Sequence, residues 1–346
     1  MRVDVLLEPD QTAAQLTELA QLCERSGIQT MWLQNYVSCR DPFMSLVPAA
    51  LATSRVGLGV CVISPWEMHP VKMANAVLTL HELSAGRARL VIGGGGEWPA
   101  RLGFETPRRV RAVREALELV RAGCTGKALN YPGEMWKVWG YRPKFGAPGS
   151  VSGAPDLPPL IYVGANQPQM LRATAPAADG IMYSDMPRSR VAETVRLTYA
   201  ALADKGRPAD GYRISNIWAW HVKADRQVAL TEARRELLLR GLLDRWYLES
   251  FLSPEECEFV EQNKNAFFKA YRSRDGVITG VPELLVDKLL HNFTITGTPD
   301  ELESRMPELL AFHQAGVHEL CFRLHDEPAD AIRLIAKHVI PHLPPD

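Results

Sequence analysis

Residues 91–104, VIGGGGEWPARLGF, place four consecutive glycines directly after an apolar run. Glycine lets a backbone come close to a ligand. A dinucleotide fingerprint needs G-x-G-x-x-G after the first strand and an acid about 20 residues on. Counted from Gly93 or Gly94, the third glycine position is Trp98 or Pro99, and the run follows the fourth apolar segment. The dinucleotide reading fails on order and on spacing. A flexible loop is one alternative; a ligand-lining loop of Gly93, Gly94, Gly95 and Gly96 is the better expectation. A second run of small and polar residues, Gly164, Ala165, Asn166 and Gln167 in YVGANQPQML, precedes a helix opened by Pro168. Free N–H groups at such a start, aided by the helix dipole, suit an anion. The plain alternative is a helix cap.

Few side chains offer proton transfer. Glu8 ends the apolar run in VLLEPD. It is either a proton carrier or a solvated acid before the Pro9-Asp10 turn, with Asp10 capping the next helix. Asn35 and Tyr36 follow another run in MWLQNYVSCRDPF, and neither is a strong base near neutrality. An exposed turn asparagine is the plain reading of Asn35. His221 lies at a strand end as an outside candidate for the acid, and His69, just before Pro70, reads as a cap. Cys61 has no base at recognisable spacing and reads as a packing cysteine. No His, Asp or Glu cluster has metal-ligand spacing, so no metal is expected.

Positioning these groups requires a frame. Apolar strand-like runs at 3–8, 30–34, 56–64, 88–94, 159–165, 180–184, 214–222 and 318–324 alternate with helical periodicity, clearest at 12–27, 42–54, 69–86 and 107–123. A Pro/Gly-rich stretch, 123–159, reads as a surface excursion, and 240–292 as a helical insertion. Eight β/α steps with near-continuous apolar strands predict a parallel sheet covered on both faces. The 346 residues suit a closed (β/α)₈ TIM barrel with insertions, read as one domain. An open doubly wound sheet is the competitor.

Composition narrows the function. The chain has 46% hydrophobic and 23% charged residues, with 39 basic against 40 acidic side chains and a net charge of −1. Nucleic acid and anionic membranes are not expected partners. Without a signal peptide, a membrane-spanning run or any C-x-x-C pair among six cysteines, a cytoplasmic location is expected.

The stretch RVGLGVCVISPWEMHPVKMANAVLTLHELSAGRARLVIGGGG resembles the central signature of the bacterial luciferase-like family, in the branch that uses coenzyme F420, an 8-hydroxy-5-deazaflavin. PPLIYVGANQPQMLRATAPAADGIMYS (158–184) and ITGTPDELESRMPELLAFHQAGVHELCF (295–322) match two further blocks, in order along the chain. Within the branch, ketoreductases and methylenetetrahydromethanopterin reductases look most similar. The resemblance implies a TIM barrel with the deazaflavin at its C-terminal face, and a homodimer. It places Gly94, Gly95, Gly96 and Ser184 in the cofactor site and gives the phosphate end to Gly164, Ala165, Asn166 and Gln167. The family more often has Gly where Gln167 stands. A non-prolyl cis peptide is implied between Cys61 and Val62, with Val62, Ile63 and Ser64 lining the ring face.

Glu8 stands where the similar reductases have their proposed acid/base. Asn35, where relatives carry Asp-His or His, is assigned to ring or substrate contact. The implied activity is hydride transfer between the deazaflavin C5 and a carbonyl, imine or activated alkene. Trp66, Trp98, Trp136 and Trp139 suggest a large apolar or planar small-molecule substrate. One rival is an FMN-dependent monooxygenase, marked by oxygen consumption. The other is a flavin-binding barrel without turnover, marked by tight binding and no redox activity.

Overall fold

A computed structural model describes residues 1–96, 98–145 and 156–345. Strands β1 (Arg2–Leu7), β2 (Thr30–Gln34), β3 (Gly57–Ile63) and β4 (Ala88–Gly93) alternate with helices α1 (Ala13–Arg25), α2 (Pro42–Ala52) and α3 (Pro70–Leu83). After β4 come α4 (Trp98–Arg101), α5 (Arg109–Gly123) and the strands β5 (Leu129–Pro132) and β6 (Lys137–Tyr141). Next are β7 (Leu160–Gly164), α6 (Pro168–Thr174), β8 (Gly180–Ser184), α7 (Arg188–Ala203), β9 (Arg213–Val222) and α8 (Arg226–Glu236). The C-terminal part holds α9 (Arg245–Leu248), α10 (Pro254–Gln262), α11 (Lys264–Ser273), α12 (Glu283–Phe293), β10 (Thr294–Gly297), α13 (Leu302–Gln314), β11 (Glu319–Arg323) and α14 (Pro328–His338).

The main sheet has the order β10-β9-β11-β1-β2-β3-β4-β7-β8, and β8 pairs back onto β9. The result is the expected closed parallel barrel of eight strands. Its strands are buried almost throughout; β4, for example, has no exposed position. That is what a sheet covered on both faces requires. β10 is an additional short strand, paired in parallel with β9 from Thr294↔Ala219 to Gly297↔Val222. The surface excursion contains structure of its own: β5 and β6 form an antiparallel hairpin. Residues 146–155 of that excursion lie outside the described residues.

The chain forms two compact units, Leu6–Met182 with Leu197–Ile214, and Met1–Val5 with Tyr183–Arg196 and Ser215–Asp346. In the second, α9 to α12 gather their own apolar cluster around Leu243, Leu248, Val260, Phe267, Leu289 and Phe293. In the first, local signals set the helix ends. Thr12 rather than Asp10 caps α1, in a capping box with Gln15, because it stands three residues before a Gln that returns the bond. His69 caps α3, its Nδ1 accepting from Val71 N–H at 3.2 Å, as its place before Pro70 predicts.

Candidate active site

The end of β3 carries the local departure from regular sheet. Its register with β4 runs Leu58↔Ala88, Gly59↔Arg89 and Val60↔Leu90, then resumes at Ile63↔Ile92. Two residues of β3, Cys61 and Val62, thus oppose Val91 alone, which makes a bulge. The peptide between them is cis, at the position expected from the sequence. The bulge turns Val62 toward two glycines. A Cβ on Gly93 would lie 2.7 Å from Val62 Cγ2, and one on Gly164 would lie 3.6 Å from it. Gly95, at φ +76°, would meet Ser64 Cβ at 2.8 Å. Gly93 and Gly164 are also partners in the β4–β7 register. The glycine run and the YVGANQ segment therefore meet on one rim, at the C-terminal ends of the strands, as barrel active sites do. Of 93–98, Glu97 lies outside the described residues.

Asn35 ties this rim together. Its backbone N–H donates to Cys61 O at 2.9 Å, and its Nδ2 donates to Val62 O at 3.2 Å and to Glu67 Oε2 at 2.7 Å. Asn35 is half-buried rather than an exposed turn residue. Glu67 is equally half-buried. Burial pushes its carboxyl above the usual 4.5, against the opposing hydrogen bond from Asn35. No motif marked Glu67. The bulge and the tight turn after it, where Glu67 N–H donates to Ser64 O at 3.0 Å, bring it to Asn35.

Glu8 follows the last residue of β1 at the same strand ends and is half-buried. Ile63 and Ser64 are buried, as is Cys61, whose Sγ lies 3.7 Å from Met182 Sδ. Gly94 faces Arg109, whose Cδ would be 3.1 Å from an added Cβ, and the exposed Gly96 has open space around it. After β7, Ala165 is buried, Asn166 half-buried and Gln167 exposed. Gln167 occupies the cap position of α6 without a side-chain cap bond.

Aromatic residues wall the region after β3. Trp66 and Trp136 pack edge-on at 6.5 Å, and the His69 ring lies 5.6 Å from Trp136. Trp136 comes from the β5–β6 turn, which Glu115 of α5 holds by accepting the N–H groups of Glu134, Met135 and Trp136 at 2.8–3.2 Å. Trp136 Nε1 donates to Ala112 O at 2.9 Å. Trp98 carries the Arg101 guanidinium 5.0 Å from its ring, while Trp139 is 68% exposed.

Ser184 and His221 belong to the other unit. His221 is fully buried, with Nδ1 2.8 Å from Glu232 Oε1, and its ring stacks on His325 at 5.1 Å. Burial drives the His221 pKa down despite Glu232, and Glu232 is itself held ionised by His221 and by Lys223 Nζ at 3.0 Å. Burial thus favours the neutral form of the His221 ring, whose Nδ1 faces the Glu232 carboxylate.

The chain matches the luciferase-like monooxygenase family over residues 1–319. It is 30% identical to the 5,10-methylenetetrahydromethanopterin reductase of Archaeoglobus fulgidus, over 99% of this chain and 100% of that protein. Among solved structures, the coenzyme F420-dependent tetrahydromethanopterin reductase of Methanopyrus kandleri superposes with a TM-score of 0.81 at 21% identity, covering 99% of this chain and 100% of that one. An F420-dependent secondary alcohol dehydrogenase, in complex with an F420-acetone adduct, gives 0.74 at 15% identity over 98% of both chains.

Proposed function

Because the chain belongs to the luciferase-like monooxygenase family, we propose that it is an F420-dependent oxidoreductase acting on a small molecule with a carbonyl, imine or activated alkene. The carrying observation is the bulge at Cys61-Val62 set against Gly93, Gly95 and Gly164, where the missing side chains of Gly93 and Gly95 let Val62 and Ser64 come close and shape the strand ends. The similar reductase of Methanopyrus kandleri and the similar alcohol dehydrogenase, both named for coenzyme F420, support the deazaflavin over FMN. When bound, F420 supplies hydride chemistry at C5, and the protein supplies orientation and a proton.

Val62, Ile63 and Ser64 hold one face of the ring, with Asn35 fixing the carbonyl of Val62. The segment from Gly164 to Gln167 receives the phosphate end through backbone N–H groups. Glu8 carries the proton at its carboxyl, and Glu67 positions Asn35. Trp66 and Trp136 exclude water and favour a large planar substrate, so methylenetetrahydromethanopterin, the substrate named for the relatives, is the first compound to test.

Titration of the purified protein with F420 and with FMN tests this reading. Saturable F420 binding and F420-linked turnover support it. Binding of FMN alone, with oxygen uptake on reduction, overturns it.

A further inference from the structure

Two histidines are buried together at strand ends of the second unit. His221 belongs to β9 and His325 stands two residues beyond β11; their rings stack at 5.1 Å with 6° between the planes. Charged groups converge on the pair. α8 brings Glu232, Arg235 and Glu236, β11 brings Arg323, Lys223 follows β9, and Arg240 lies beyond α8. Glu232 takes His221 Nδ1 at 2.8 Å and Lys223 Nζ at 3.0 Å, and Arg323, Arg240 and Arg235 bear on His325. The next two residues, Asp326 and Glu327, are exposed and engage Arg235 and Lys223.

This surrounding suits two neutral rings and no imidazolium. A protonated ring donates from both nitrogens, yet Nε2 of His221 is buried with no hydrogen-bond partner among the described residues. Two charged rings in the stack would repel at 5.1 Å, in a site where burial keeps water from screening them. Burial lowers the His221 pKa against the pull of Glu232. Burial again lowers that of His325, with Arg323, His221, Arg240 and Arg235 taking it well below 6.5.

The pair is coupled to the apolar cluster of α9 to α12 through α8. Glu232 and Arg235 serve the histidine side, while Ala233 and Leu237 of the same stretch belong to the cluster. Arg274 of α11 lies 3.7 Å from Glu236. Arg240, fully buried, donates to Asp185 Oδ1 at 2.9 Å. Directly after it, Gly241, Leu242 and Leu243 have φ of +55°, +53° and +47°, a conformation costly for leucine. Backbone of this kind persists only while its surroundings hold it.

We propose that the His221–His325 stack is a pH-sensitive latch: neutral, it holds α8 and the α9–α12 cluster in place, and protonated, it lets them loosen. The latch is a property of the protein alone and needs no cofactor. With both folded-state pKa values depressed, its contribution is complete above the unfolded value of about 6.5 and is lost as pH falls below it.

Melting curves and hydrogen exchange of the whole protein, from about pH 7.5 to about 5.5, test the latch. The Tm of the parent should fall by about 5–10 °C over that range, the effect of two protons taken up on unfolding. His325→Phe keeps a flat ring against His221 and cannot titrate, so it should remove about half of the fall. His221→Gln keeps a donor for Glu232 and should act likewise. After correction for the intrinsic effect of pH on exchange, amides of α10 to α12 should lose protection in acid by about tenfold or more, while those of β2 to β4 keep theirs. Tm curves of parent and variants that run parallel would overturn the proposal, as would an equal loss of protection in both units. If His325→Phe does not fold, His221→Gln decides alone: a shallower fall supports the latch, and an unchanged one overturns it.

Discussion

Strands β2, β3 and β4 begin and end in opposite kinds of environment. Where they begin, charge is consumed by backbone. Arg87, just before β4, donates from Nε to Ser84 O at 2.6 Å, from Nη1 to Thr53 Oγ1 at 3.0 Å and Val56 O at 2.6 Å, and from Nη2 to Ala50 O at 2.9 Å and Thr53 O at 2.8 Å. Glu24 Oε2 accepts the N–H groups of Ser54, Arg55 and Val56 at 2.6–3.1 Å, ahead of β3. Where the strands finish, side chains withdraw. Gly93 and Gly95 admit the close approach of Val62 and Ser64, β3 bulges, and the Glu67 carboxyl is lifted by burial against the hydrogen bonds at Asn35 and Ser64. The difference separates two demands on one sheet: the first end is saturated with hydrogen bonds and fixes the frame, and the second keeps capacity for a ligand.

If this division holds, substitutions at the two ends should fail in different measurements. The largest effect is expected from Glu8→Gln at the ligand end. It preserves shape, so F420 should bind as before while turnover falls about 10²–10⁴-fold, the usual worth of one positioned acid. Near-normal turnover would exclude Glu8 as the proton carrier.

Arg87→Ala tests the opposite end. Removing the guanidinium leaves several half-buried carbonyls unpaired, at a cost of about 2–4 kcal/mol. A fall in Tm of about 5–10 °C is expected, with turnover per folded molecule nearly unchanged. A normal Tm with lost activity would invert the comparison.

Glu24→Gln should be milder. Although partial burial raises the Glu24 pKa, the backbone N–H groups of Arg55, Ser54 and Val56 outweigh it and bring the value from 4.5 to about 2. A depressed carboxyl contributes stability above its unfolded pKa and loses it as pH falls through the folded one. The variant should therefore lose about 1 kcal/mol near neutrality, a modest figure because the group is partly solvated. Melting curves of variant and parent should converge as pH falls from 4.5 toward about 2. A gap that persists in acid would remove the charge from the explanation.

The smallest effect, of opposite sign, belongs to Glu67→Gln. The raised pKa means that ionisation is disfavoured in the fold, so the native contribution is present at low pH and lost as pH rises through the folded pKa. Glutamine keeps an acceptor for Asn35 and cannot ionise. The variant should gain about 1–2 °C in Tm at pH 8 and match the parent at pH 4. A larger gain in acid would exclude burial as the cause.

Local order along the chain was legible because it depends on neighbours in sequence. Apolar runs located β2 at Thr30–Gln34 and β8 at Gly180–Ser184 to the residue, and placed the other barrel strands within one residue at each end. His69 before Pro70 declared its cap, and three motif blocks declared the family and with it the cis bond at Cys61-Val62. The four-residue β10 escaped because TITG is too short to show a period. The β5–β6 hairpin escaped because Glu115, some 20 residues before Met135, holds its turn. Nor could spacing reveal that Asn35 meets Glu67 across 32 residues, or that Arg109 lies on Gly94 beside an arginine-lined cavity. Periodicity reports how each element is buried. Which side chains then meet depends on strand register, on a bulge of one residue and on how one helix packs on the next, and those are properties of the assembled barrel.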